Sequence, residues 1–228
     1  MTAKPTPVFL LAGGRDTTRD AYADVVKRIY RLAGSDRPRI AYIGAANDDN
    51  PRFIGFMSGM LAAAGPCDFE LAPLAGKKGS AAKARKVVEA ADLVFVGGGD
   101  VEAGMKWIHD RDFAGCLREK LASGAPVFGA SAGAIMLASR WVRWRDPDDD
   151  STAELFDCLG LAPVICDTHC EEDHWVELKA ALGLAGEGAH GWGIRSGAAL
   201  EVARDGAVKV IAGKVDAYAL RGGKLYKA

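Results

Sequence analysis

The chain has 228 residues and carries 29 Lys and Arg against 30 Asp and Glu, a formal net charge of −1. With 49% hydrophobic and 26% charged residues it has the composition of a folded protein with a substantial core, which excludes a disordered chain. The lack of a basic excess argues against a nucleic-acid partner, and no apolar run is long enough for a membrane-spanning helix.

Val8-Phe9-Leu10-Leu11 reads as a buried strand ending at Gly13-Gly14. The spacing of Tyr22, Val25, Val26, Ile29 and Leu32 predicts a helix, capped by Asp16 or Thr17 and ended by Gly34. The cycle repeats with a strand over 39–43 and a helix over about 51–64, then a strand over 69–74 and a helix over 80–91. A fourth strand, over 93–96, runs into Gly97-Gly98-Gly99-Asp100. Helical patterns follow through Trp107-Ile108 and over 113–121, and a fifth strand, Pro126-Val127-Phe128, runs into Gly129-Ala130-Ser131. Apolar strands separated by helices specify an α/β fold: a predominantly parallel sheet with helices on both faces. Beyond Ser139, the segment 141–145 alternates like a partly exposed strand and leads into an acidic loop over 146–150. Turn signals at 204–206 and 221–223 predict C-terminal β-hairpins. Without an internal repeat or a linker, residues 1–228 read as one domain.

The strongest chemical signal is Gly129-Ala130-Ser131-Ala132-Gly133, a G-x-S-x-G elbow set between an apolar strand and a helix. Small neighbours let the chain turn sharply and lift the Ser131 hydroxyl out of the sheet, while the Ala132 amide opens the helix with no acceptor of its own. Gly98 and Gly99 leave the adjacent parallel strand at the same edge, where one of their amides could join Ala132 in an oxyanion hole. Asp100 reads first as an ordinary helix N-cap and second as a substrate contact.

A serine nucleophile needs a base. Of four histidines, His109 lies in a charged helical stretch, His174 opens a helix and His190 sits in a Gly-rich turn. His169 follows the apolar run 162–166, where a strand would leave the sheet at the functional edge. The orienting acid is open among Asp146, Asp148, Asp149, Asp150 and Glu154, with Asp167 and Glu171 flanking the histidine. Cys166, His169, Cys170 and His174 are metal-ligand types, but their spacing fits no zinc pattern, so neither metal nor cofactor is expected.

With Gly-Gly-Gly-Asp, Gly-Ala-Ser-Ala-Gly-Ala and Cys166-Asp167-Thr168-His169 in this order, the chain resembles the peptidase E / cyanophycinase family of serine peptidases over roughly residues 8–202. The resemblance implies a fold similar to the class I glutamine amidotransferase domain, with serine in place of cysteine at the elbow. It matches Ser131 to the nucleophile, His169 to the general base and Gly98, Gly99 and Ala132 to the oxyanion hole. The acid falls on the segment after the elbow helix, with Asp146 first and Glu154 second. It also implies small peptide substrates cleaved beside aspartate, for which Arg143, Arg145 or Arg195 could pair with a substrate carboxylate. The chain departs from the family pattern at Asp100 and at Cys170-Glu171-Glu172-Asp173, which bears on substrate preference. A catalytically silent amidotransferase-like domain that binds a ligand or partner at the same edge is the alternative. Five scattered cysteines and the lack of a signal-peptide pattern point to the cytoplasm; a homodimer is compatible with the sequence, which does not fix the oligomeric state.

Overall fold

The computed structural model describes residues 6–13 and 19–227. The first strand, β1 (Val8–Leu11), is followed by α1 (Arg19–Leu32), β2 (Arg39–Ile43), α2 (Pro51–Ala62), β3 (Asp68–Leu71), α3 (Ala81–Ala90) and β4 (Leu93–Val96). Next come α4 (Val101–Asp110), α5 (Ala114–Ala122), β5 (Val127–Ala130) and α6 (Ala132–Leu137). The expected caps Asp16 and Thr17 lie outside the described residues, whereas Gly34 follows α1 at φ +69°, as a helix-ending glycine does. Local chemistry sets the other starts: the Asn50 side chain accepts from the Arg52 and Phe53 amides ahead of α2, and Ser80 accepts from Lys83 ahead of α3.

Seven strands form the main sheet in the order β11-β10-β1-β5-β4-β2-β3, where β10 is Ala199–Val202 and β11 is Val208–Ala212. From β1 to β3 every pairing is parallel, while β10 and β11 add an antiparallel hairpin to the outer edge of β1. Alternation along the parallel strands divides the core. Phe9, Tyr42, Phe95 and Phe128 face α1 and α2, with Phe95 and Phe128 stacked at 4.5 Å. Leu10, Ile43, Val96 and Val127 face the layer that contains α3 to α6. The edge strand β3 ends at Leu71, three residues short of the expected 74, and its burial alternates as an edge strand's does.

The remaining strands depart from the sequence expectation. Arg140–Trp144 (β6) pairs with Ala153–Asp157 (β7) as a separate hairpin. Ile165–Thr168 (β8) was expected to leave the main sheet, but it belongs to a second sheet, β13-β12-β9-β8. Here β9 is His190–Ile194, β12 is Val215–Arg221 and β13 is Lys224–Lys227; α7 (Val176–Ala185) lies between β8 and β9. The reason is positional: β10 takes the free edge of β1, so β8 finds its parallel partner in β9 instead. His190 accordingly opens a strand rather than sitting in a turn. Among the described residues no helix is long and apolar enough to cross a membrane.

Candidate active site

The elbow is built by close backbone approach. Ser131 sits at φ 55° and ψ −129°, a conformation strained for any residue with a side chain. Its own amide donates to Leu11 O at 2.9 Å, and Ala134 N donates back to Ser131 O at 2.8 Å, so the turn is held from both sides. A Cβ on Gly129 would lie 2.4 Å from Gly133 O, and one on Gly133 would lie 2.1 Å from Val96 O. Only glycine fits either place, and the result is a hydroxyl raised at the carboxyl edge of β5.

The Gly97–Gly99 loop meets the elbow there. An ideal Cβ on Gly98 would stand 3.0 Å from Ser131 Cβ and 3.5 Å from its Oγ, so this backbone lies directly beside the serine. Gly99, at φ +142°, packs so tightly on the turn after β2 that a Cβ would meet Ala46 O at 1.9 Å. That turn braces the loop. Asn47 Nδ2 donates to Gly98 O and to Tyr42 Oη, both at 2.9 Å, and Asp100 N donates to Ala46 O at 2.7 Å. Asn47 was not singled out in the sequence; the signal was a polar run, Asn47-Asp48-Asp49-Asn50, leaving a strand at the ligand-binding edge.

The imidazole arrives from the second sheet. His169 follows β8, its amide donates to Ile194 O at 2.9 Å, and its Nε2 lies 2.6 Å from Ser131 Oγ. The backbone at His169 is left-handed, with φ 46°. Two strands from different sheets therefore deliver the two groups into hydrogen-bond contact.

The expected acids are placed otherwise. Asp146 folds into its own loop, where Oδ1 accepts from Asp148 N at 3.1 Å and its amide donates to Thr152 Oγ1 at 3.0 Å. Glu154, on β7, is clamped by Arg143 at 2.7 Å and Arg145 at 3.0 Å, and Arg143 before all else holds its carboxyl below the usual range. Among the described residues no carboxylate, Glu171 included, is hydrogen-bonded to His169. The expected substrate-binding arginines are likewise engaged: Arg143 and Arg145 with Glu154, and Arg195 with Asp216 at 2.8 Å. Asp100 is a helix cap, its Oδ1 accepting from Ala103 N at 2.7 Å.

A different carboxylate stands on the histidine's own turn. Glu171 Oε1 accepts from Ser196 N at 3.1 Å, while its Oε2 is buried with no hydrogen-bond partner among the described residues. Burial works to raise its pKa, but hydrogen bonds from its own amide and that of Ser196 outweigh it and keep the carboxyl below its ordinary value. Asp167, before the histidine on β8, is 1% exposed, and burial pushes it up to about 7.

Comparison with known proteins agrees with this architecture. Residues 8–210 match Peptidase family S51. A 101-residue stretch is 33% identical to the peptidase E of Pasteurella multocida (strain Pm70), covering 44% of this chain and 41% of that protein. A 55-residue stretch is 36% identical to the peptidase E of Haemophilus influenzae, covering 24% of this chain and 25% of that one. These matches span less than half the length of either relative. In fold, the chain superposes on the crystal structure of a peptidase from an acI-B1 Actinobacterium with a TM-score of 0.70 at 17% identity, covering 100% of this chain and 97% of that one. A putative peptidase E from Listeria monocytogenes EGD-e gives 0.65 at 16% identity, over 92% and 99%. From the match over residues 8–210, the chain belongs to peptidase family S51.

Proposed function

We propose that the protein is a serine peptidase that hydrolyses small aspartate-containing peptides, with Ser131 as nucleophile and His169 as base. The observation that carries the reading is the 2.6 Å contact between Ser131 Oγ and His169 Nε2 at a strained strand-to-helix turn. Nε2 takes the hydroxyl proton as Oγ bonds to the peptide carbonyl carbon, and the amides of Ala132 and of Gly98 or Gly99 hold the oxyanion. The C–N bond then breaks as His169 returns the proton to the leaving amine, and water releases the acyl group by the same route.

For Nε2 to accept, the ring proton must sit on Nδ1, which calls for an acceptor on its far side. We assign that role to Glu171 rather than to Asp146 or Glu154. Its Oε2 is unpartnered among the described residues, and its Oε1 is tied to Ser196, in the same stretch whose Ile194 holds the His169 backbone. The aspartate preference rests on the family, since Arg143, Arg145 and Arg195 already have internal carboxylate partners. The five cysteines are free thiols, which supports a reducing, cytoplasmic setting.

The test combines a serine-reactive fluorophosphonate with a panel of dipeptides. Wild type labels at Ser131 and cleaves Asp-containing dipeptides, whereas Ser131→Ala does not label and loses about 10³-fold or more in kcat. Equal labelling of both proteins overturns the assignment. Glu171→Gln lowers kcat about tenfold or more, while Asp146→Asn and Glu154→Gln stay within about twofold of wild type. A large loss in either of the latter moves the acid there.

A further inference from the structure

Beside the His169 turn three side chains converge. Asp167 at the end of β8, Cys170 in the turn and Glu177 in the first turn of α7 bring one carboxylate oxygen, the thiol sulfur and a second carboxylate oxygen within 4.8 Å of one another. The turn that gathers them is tightly hydrogen-bonded, with Trp175 N donating to Cys170 O at 3.2 Å and His174 N to Glu171 O at 3.3 Å.

A cluster of acids alone is commonplace on a protein surface; this one has a buried floor. Asp167 is 1% exposed; its Oδ1 accepts from Thr168 N, the weak donor Cys170 faces the carboxylate, and among the described residues its buried Oδ2 has no other hydrogen-bond partner. An unpaired carboxylate oxygen in such a place is costly unless something supplies positive charge or a donor. Among the described residues no lysine, arginine or histidine forms an ion pair with Asp167 or Glu177. The cluster is buried at Asp167, half-buried at Cys170 and exposed at Glu177, so it opens to solvent at one end and leaves an entry path.

We propose that Asp167, Cys170 and Glu177 bind a single divalent cation of the zinc class. The donor set selects among metals: a thiolate beside two carboxylates suits Zn²⁺ or Co²⁺, whereas Ca²⁺ and Mg²⁺ take oxygen ligands alone. Geometry allows it. With Zn–S of about 2.3 Å and Zn–O of about 2.0–2.2 Å, tetrahedral donors stand about 3.3–3.8 Å apart. Donor atoms within 4.8 Å of one another reach that spacing by side-chain adjustments of about 1 Å. Three protein ligands leave a fourth position for water. Occupancy joins the end of β8 to the start of α7 across the turn that carries His169, so metal binding stiffens the segment that presents the base.

The experiment is metal binding to the full-length chain carrying Ser131→Ala, so that the outcome is independent of hydrolysis. Zn²⁺ binds with one ion per chain by calorimetry and raises the Tm. Co²⁺ in its place gives a thiolate charge-transfer band and tetrahedral visible bands. Cys170→Ser abolishes that band and weakens Zn²⁺ by about a hundredfold or more, since even residues that only support metal ligands change affinity 10–100-fold on mutation. Glu177→Gln, at an exposed position where folding is not at stake, weakens it as well, and Cys67→Ser does not. Failure to bind Zn²⁺, or binding that survives both Cys170→Ser and Glu177→Gln, overturns the proposal.

Discussion

The two halves of the Ser131–His169 pair are held by opposite means. On the Ser131 side the constraint is steric: Gly129 and Gly133 occupy places where a single added carbon would sit 2.4 Å or less from backbone. On the His169 side the backbone is left-handed at His169, His174 and Trp175, none of them glycine, and among the described residues buried carboxylate oxygens of Asp167 and Glu171 are unpartnered. One side is locked by close packing that admits one residue type. The other is a polar strap held by side-chain contacts.

The largest expected effect tests the steric half. Gly133→Ala forces a Cβ to 2.1 Å from Val96 O and 2.7 Å from Gly97 O, both backbone atoms that cannot swing away. It lowers stability in urea by about 3 kcal/mol or more and disturbs the elbow together with β4. Gly183, in α7 on the His169 side, has nothing within 4 Å of its ideal Cβ. There Gly183→Ala stabilises by about 0.5–1 kcal/mol through helix propensity. Equal urea midpoints for the two variants would erase the contrast.

A smaller effect tests the strap. Asp216, 5% exposed, accepts from Trp175 Nε1 at 3.0 Å and Arg195 Nε at 2.8 Å, and pairs with Lys227 Nζ at 2.6 Å. Trp175 closes the His169 turn, and its ring lies where a Cβ on Gly193 would come within 2.6 Å. Burial works to raise the Asp216 pKa, but the hydrogen bonds from Arg195, Lys227 and Trp175 prevail and hold it at about 2, below its ordinary 3.8. A depressed carboxylate stabilises the fold fully above the unfolded value and loses that contribution as pH falls from 3.8 towards 2. Asp216→Asn therefore costs about 1–3 kcal/mol at pH 7. The gap to wild type narrows below pH 4; a gap that stays constant to pH 3 assigns the loss to packing rather than charge.

The same contrast explains what the sequence disclosed. Runs such as Leu93–Val96 and the glycines after them report short-range sterics, so the parallel sheet, Ser131 and the adjacent loop could be read directly. His169 was expected beside Ser131 and lies there, but on a different sheet, because the choice of β9 as partner for β8 depends on β10 having taken the edge of β1. The arginines alternating around Trp144 read as free cations, since nothing local reveals that Glu154, ten residues or so along the hairpin, lies opposite Arg143. Asn47 escaped for the same cause, since it matters through a hydrogen bond to a residue distant in sequence, Gly98. Glu171 was named beside the histidine but not preferred, because its bond to Ser196 is equally invisible locally.

Asn47 supplies the smallest and finest test, because it is a polar tether on the side otherwise held by sterics. Its amide nitrogen bridges Tyr42 Oη and Gly98 O, and the loop it steadies lies against Ser131. Loss of one such bond between partly buried groups is worth about 1 kcal/mol, or roughly a factor of five to ten. If the glycine loop were fixed by packing alone, Asn47→Ala would alter stability and leave the rate of fluorophosphonate labelling at Ser131 unchanged. If the amide aligns the Gly98 peptide for the oxyanion, labelling and dipeptide hydrolysis fall together by that factor while the far side of the site, read as Zn²⁺ affinity, stays constant. Asn47→Asp separates the two further: it keeps the volume and the Asn50 N contact made by Asn47 Oδ1, but has no hydrogen to offer Gly98 O. A labelling rate as low as that of the alanine variant then assigns the effect to the donor itself.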